Sequence, residues 1–209
     1  MADNGVAPSA SQFVAWSTRL RAEGFVAVRT GALGERLAAA ASRAGYECVQ
    51  SLALLEHDLD DISPAALPGP GTRPALRRAP NRDDDLAVVD LAAFGPRWGL
   101  DGVGLRDVCD ATPQHRLRAT GDADVPAAFA ISGRAARTGF LQRLAVHPDA
   151  QRRGMGTELV RDSLRWMRRW RVGRALVNTS VDNEAAMALY LRAGFRLLPG
   201  RLGVYEWPA

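Results

Sequence analysis

Residues 144–160 read "LAVHPDAQRRGMGTELV", and the fold turns on how this stretch is understood. An apolar strand enters a turn set by Pro148 and Asp149. The chain then passes Gln151, Arg152, Arg153, Gly154, Met155 and Gly156 before apolar residues at helical spacing begin. The first turn of a helix leaves its N–H groups unpaired, and the macrodipole adds partial positive charge there. Glycines let backbone approach an anion closely, and neighbouring guanidinium groups add forked donors. Such an arrangement suits a phosphate or pyrophosphate. The same residues also suit a tight turn that merely opens a helix.

Two familiar phosphate signatures do not fit. A dinucleotide fingerprint needs a small residue three positions after the second glycine, and Leu159 stands there. A Walker loop needs lysine, and all 27 basic residues of this chain are arginine.

The surroundings narrow the choice. Residues 74–80 ("PALRRAP") read as a strand, 83–94 as a helix opened by three aspartates, and 100–112 as a second helix. "RLRAT", "PAAFAIS" and "TGFLQRLAV" are successive strands separated by polar or Gly breaks. The spacing of Met155, Leu159, Trp166 and Trp170 predicts a helix over 155–170 with those residues on one face. "RALVNTS" is a strand, 184–193 a helix ended by Gly194, and "FRLL" and "GVYEW" two closing strands.

Gln151, Gly154 and Gly156 after a strand, followed by a second strand and "DNEAAMALYLRAGF" over 182–195, resemble the GNAT superfamily of acyl-CoA-dependent N-acetyltransferases. The resemblance covers about 74–206. It implies an α/β fold with a central mixed, mostly antiparallel sheet flanked by helices. It implies acetyl-CoA as co-substrate and an amine as acceptor, with no metal. Leu144, Ala145 and Val146 then match the strand that pairs with the pantetheine arm, and a backbone N–H near Val146 would stabilise the oxyanion. Gln151, Arg152, Arg153, Gly154, Met155, Gly156 and Thr157 match the pyrophosphate loop, Asn183 a pantetheine contact, and Tyr190 the group that protonates the departing thiolate. Asn183 also suits an N-cap, and Tyr190 also suits a core aromatic with a polar tip.

The general base has no candidate that stands out. Some family members carry a carboxylate on the strand before the loop, where this chain has Gln142 and Arg143. Glu206, Asp101, His147 or a water chain remain open. Trp98, Asp101, Asp107 and Tyr205 are candidates for an acceptor groove, the aspartates suiting a cationic amine. His147 reads as a turn residue, and His57 and His115 have no identifiable partner. A non-catalytic acyl-CoA sensor is the alternative to an enzyme.

The N-terminal part repeats part of this pattern. A shift of 149 lays "GFVAVRT" on "GRALVNT", "RAGY" on "RAGF", Glu35 on Glu184 and Ala39 on Ala188. It lays 151–156 on "ADNGVA" and Tyr190 on Ala41, so this copy lacks the loop and the tyrosine. The expected organisation is a degenerate half-repeat over 1–62, a Pro/Gly linker over 63–73, and an N-acetyltransferase domain over 74–209. The half-repeat is expected to bind no CoA and to extend the sheet or wall the acceptor cleft.

Composition sets the bounds. With 47% hydrophobic and 24% charged residues, the chain reads as an ordinary soluble protein. Cys48 and Cys109 make neither a disulfide framework nor a zinc site. No signal peptide or membrane-length apolar run is visible, so the expected address is the cytoplasm and no membrane partner is expected. The net charge of +4 is modest, and nucleic acid is not the expected main partner. A homodimer is left open.

Overall fold

The computed structural model describes residues 7–60, 77–78, 83–121 and 125–208; the expected linker, 63–73, lies outside them. Along the chain run α1 (Ala10–Ala22), β1 (Val28–Arg29), α2 (Glu35–Arg43) and β2 (Glu47–Asp58). Then come β3 (Arg77–Arg78), α3 (Asp83–Trp98), α4 (Gly102–Asp110), β4 (Gln114–Gly121), β5 (Pro126–Ala135) and β6 (Thr138–Val146). The last elements are α5 (Met155–Arg169), β7 (Arg174–Ser180), α6 (Glu184–Arg192) and β8 (Arg196–Trp207). No described helix is long and apolar enough to cross a membrane.

The residues group into two compact units that interleave along the chain instead of meeting at the linker. The first comprises Met1–Leu54, Asn178–Met187 and Leu197–Ala209; the second comprises Leu55–Val177 and Ala188–Arg196. β2, β7 and α6 each contribute residues to both.

The second unit is a mixed sheet with helices on it. Its strand order is β2-β7-β6-β5-β4-β3. β3, β4, β5 and β6 pair antiparallel, and β6 pairs with β7 in parallel. β5 is buried along most of its length. On one side Phe129 and Ile131 pack with Leu86 and Val89 of α3 and Leu105 of α4. Each such side chain contributes roughly 1.5–3 kcal/mol through burial. On β5, Ser132 bonds Ser163 of α5 (Oγ to Oγ, 2.8 Å), and Ser163 donates to the Leu159 carbonyl. α5 lies close enough to β6 that a Cβ on Gly139 would come within 2.5 Å of the Met167 sulfur.

α5 buries Leu159, Val160, Ser163, Leu164 and Met167. The face expected from Met155, Trp166 and Trp170 is therefore rotated from the true one. Trp170 is 52% exposed, with the Arg134 guanidinium 4.4 Å above its ring, and Arg116 stands 6.0 Å from Trp166. An arginine over an indole provides a cation–π contact that the core does not need to supply. α3 reaches past its expected end at 94 because Gly95 (φ 73°) breaks it and Pro96 opens a further turn. The two closing strands expected from "FRLL" and "GVYEW" form one strand, β8, across Gly200 (φ 87°).

In the first unit the order is β1-β8-β2. Val28 pairs with Trp207 and Arg29 with Glu206, and Arg29 Nη2 lies 2.6 Å from the Glu206 carboxylate. α1 opens with a capping box from Ser9 and Gln12. Phe13, Ala40, Ala41, Ala44 and Tyr46 form its core, with Tyr205 and Trp207 packed against them. Ser17 and Tyr46 share a buried hydroxyl–hydroxyl hydrogen bond.

Candidate functional site

The ladder between β6 and β7 runs from Thr138–Phe140 against Arg174–Leu176 and stops there. Leu144, Ala145 and Val146 lie beyond it, while their other edge pairs with Ala130, Phe129 and Ala128 of β5. Among the described residues, β6 pairs with β5 along its length except at Gln142, whereas its pairing with β7 covers only Thr138–Phe140. A bulge at Gln142 lies just before this point, where the register jumps between Ile131/Arg143 and Ser132/Leu141. The extra residue kinks the strand and re-aims its groups. Gln142 Nε2 donates to the Val108 carbonyl at 2.7 Å and so ties the bulge to α4.

Past Val146 the chain turns through a 3-10 segment, Pro148–Ala150. His147 acts as its cap, its Nδ1 accepting the Asp149 N–H at 3.3 Å, in keeping with a turn role. Gln151 Nε2 donates to the Val146 carbonyl at 3.4 Å, closing the loop onto the strand. Arg152 (φ 61°) and Gly154 (φ 82°) then take the left-handed conformation. Residues 151–154 are exposed. No side chain caps the first turn of α5, whose first bond is Glu158 N–H to the Gly154 carbonyl at 3.1 Å. The N–H groups of Met155, Gly156 and Thr157 precede that bond and have no intrahelical acceptor. A Cβ on Gly156 would lie 3.3 Å from Leu189 Cδ2 and 3.7 Å from Val146 Cγ2, so the backbone is held close to β6 and α6. These donors, the helix dipole and the exposed Arg152 and Arg153 fit a pyrophosphate.

Tyr190 sits on α6 in the same unit, 5% exposed. Burial raises its phenol well above the ordinary tyrosine value, so the group keeps its proton through the neutral range. Its ring meets Phe195 at 5.7 Å. Asn183 falls in the first unit, where its Oδ1 accepts the Ala186 N–H at 3.0 Å and caps α6.

The expected acceptor residues fall in both units, Trp98, Asp101 and Asp107 in the second and Tyr205 in the first. Asp101 caps α4, accepting the Gly104 N–H at 2.8 Å. Asp107 is exposed on α4, and Trp98 lies under Arg97 at 5.5 Å. Tyr205 and Glu206 belong to the first unit, and Glu206 is engaged by Arg29.

Sequence reasoning missed two features. Asp90, fully buried, receives two bonds from Arg143, at 2.7 and 2.6 Å, and one from the Leu100 N–H at 2.7 Å. Arg143 also donates to the Trp98 carbonyl at 2.8 Å and stacks 3.6 Å from the Phe94 centroid. The Asp90 carboxylate is thus committed to a structural ion pair. The second feature is a cavity of about 380 Å³ beside the loop, lined by Val88, Val125, Pro126, His147, Asp149 and Arg153 among others. Its walls come from segments far apart in sequence, and no local pattern announces it. A larger cavity of about 610 Å³ lies in the first unit, next to Ser9, Arg36 and Arg43. There the first helical turn already has its side-chain caps, unlike α5.

Residues 98–195 match the family model described as "Acetyltransferase (GNAT) family". A search among curated protein sequences finds no significant match. Among solved structures, the chain resembles a tandem GNAT protein from the clavulanic acid biosynthesis pathway (TM-score 0.64, 15% identity, 94% of this chain and 68% of that one). It also resembles a GCN5-related N-acetyltransferase from Sphaerobacter thermophilus (TM-score 0.62, 19% identity, 94% and 66%). A third is the PaiA N-acetyltransferase of Thermoplasma acidophilum in complex with coenzyme A (TM-score 0.54, 12% identity, 66% and 100%). The chain spans 66% of the length of the Sphaerobacter protein. At these identities the likeness establishes the fold, a mixed sheet flanked by helices.

Proposed function

We propose that this chain, whose residues 98–195 match the model described as "Acetyltransferase (GNAT) family", is an N-acetyltransferase moving acetyl from acetyl-CoA to a primary amine of a small molecule or protein. The observation that carries this is the uncapped first turn of α5 beside the stretch of β6 beyond its pairing with β7. In this reading the backbone of Leu144, Ala145 and Val146 pairs with the pantetheine arm. The N–H groups of 152–157, with Gln151 bracing the loop and Arg152 and Arg153 adding charge, hold the pyrophosphate.

The transfer itself is direct: a neutral amine forms a bond to the thioester carbonyl carbon, the C–S bond breaks, the amine nitrogen gives up one proton to water, and the leaving thiolate takes one from the Tyr190 phenol, which water then reprotonates. Holding both reactants on one strand edge supplies the proximity term. Tyr190, kept protonated by burial, donates a hydrogen bond to the leaving thiolate. Asp90 takes no part as a base, because Arg143 neutralises it.

A second reading, a non-catalytic acyl-CoA sensor, draws on the same observation about Asp90 and on the lack of a carboxylate on β6. Thiol release from acetyl-CoA, measured against a panel of small amines and N-terminal peptides, separates the two. Acceptor-dependent release supports the enzyme. CoA binding with no turnover on any acceptor supports the sensor, and no CoA binding removes both.

A further inference from the structure

The 149-residue shift survives in three dimensions. It maps α2 (Glu35–Arg43) onto α6 (Glu184–Arg192) and β2 (Glu47–Asp58) onto β8 (Arg196–Trp207), end to end. Both helices stop in the same way. Gly45 and Gly194 are left-handed, at φ 86° and 93°. The Tyr46 N–H reaches the Ala41 carbonyl and the Phe195 N–H the Tyr190 carbonyl, at 3.1 and 3.0 Å. These are the six-to-one bonds of a Schellman cap. Tyr190 is therefore a member of the cap of α6. Its carbonyl receives the Phe195 N–H and its ring packs on the Phe195 ring.

The last strand of each copy serves the other. β8 follows α6, yet most of it lies in the first unit and pairs with β1. β2 follows α2, yet its end lies in the second unit. There Glu56 meets Arg174 of β7 at 3.4 Å, and the Leu59 N–H reaches the Gly173 carbonyl at 2.9 Å. The exchange is reciprocal down to the side chain that covers each cap. In the first unit Trp207, from β8, stacks on Tyr46 at 6.5 Å. In the second, His57, from β2, stands edge-on to Phe195 at 5.2 Å and 90°.

His57 is 9% exposed, and its Nδ1 is 2.6 Å from the Asp58 carbonyl. Its Nε2 lies against Gly194, 2.9 Å from where a Cβ would be. The imidazole thus rests on both residues that close α6 behind Tyr190.

We infer that His57, delivered by the N-terminal segment, is a positioning residue for Tyr190. It fixes the Gly194–Phe195 cap, and the cap fixes the phenol. The N-terminal half-repeat then works in catalysis without binding CoA itself. This rests on the role given to Tyr190 above.

The test is a double-mutant cycle on the full chain with His57→Ala and Tyr190→Phe, read as kcat, KM for acetyl-CoA and calorimetric CoA affinity. His57→Ala is expected to lower kcat about tenfold, with CoA affinity unchanged. In the Tyr190→Phe background the same change costs little further, because residues acting as a unit are non-additive. His57→Phe, which restores a ring edge, recovers most of kcat. Should His57→Ala not fold, His57→Leu fills the space without a ring and carries the same comparison. An unchanged kcat in the His57 variant, or an equal loss in both backgrounds, overturns the inference and leaves Tyr190 standing. A wild-type kcat in Tyr190→Phe alone overturns both.

Discussion

Replacing Gly154 with alanine separates a phosphate cradle from a plain turn. Gly154 has φ 82°, and a Cβ there would meet nothing within 4 Å. The perturbation is therefore conformational, with no steric clash. Holding a side chain in the left-handed region costs about 1–2 kcal/mol, which lowers Tm by about 2–8 °C for a chain of this size. The loop escapes the strain by leaving that conformation, and the N–H groups of Met155, Gly156 and Thr157 then cease to converge. Losing one hydrogen bond to a charged group costs about 1.5–3 kcal/mol, or about 10- to 100-fold in affinity. Gly154→Ala should thus both melt earlier and bind CoA at least about tenfold more weakly by calorimetry. Asparagine tolerates the left-handed region better, so Gly154→Asn should recover much of both. A Gly154→Ala protein with lowered Tm and unaltered CoA affinity would refute the reasoning, since the turn would then be structural only.

Further outcomes follow from other residues. Tyr190→Phe should lower kcat about 10- to 100-fold with little change in CoA affinity. Its phenol is raised in the folded state, so the stability it confers is whole below the ordinary tyrosine value of about 10 and is lost as pH rises beyond it. Denaturant titrations above pH 10 should therefore show a shallower alkaline decline in Tyr190→Phe than in wild type. Asp90→Asn or Arg143→Met alone should cost about 3–5 kcal/mol, because each strands the other half of a buried pair, whereas Asp90→Leu with Arg143→Met should recover most of it; urea denaturation reads both. Asp101→Ala should cost about 1 kcal/mol as a lost N-cap while Asp101→Asn keeps the cap; if Asp101 also meets a cationic acceptor, both raise acceptor KM.

Local chemistry made much of the site legible from sequence. Glycine at 154 permits the left-handed conformation and the apolar spacing begins a helix at Met155, and the structure has both. "RAGF" and "RAGY" each require a helix stop and a buried aromatic, and both copies obey. What the sequence hid depends on distant partners. Asp90 and Arg143 lie 53 positions apart, and neither looks unusual on its own element. The exchange of β2 and β8 is a matter of strand pairing, which a two-residue side-chain period does not encode. His57 looked unpartnered because its neighbours, Gly194 and Phe195, lie in the other copy. The stripe on α5 misleads because tryptophans that meet arginines at the surface mimic a buried face. The single strand β8 reads as two because "PG" at 199–200 usually marks a turn, whereas here Gly200 absorbs the bend within the strand.

The most direct measurement of the central claim, that residues 151–157 hold the pyrophosphate of an acyl-CoA, is a calorimetric comparison of CoA with pantetheine. If the uncapped turn of α5 and its arginines are the anchor, CoA binds at least about 100-fold more tightly than pantetheine, and the advantage falls as salt screens the arginines. Equal affinity for the two, or no binding of either, would contradict it.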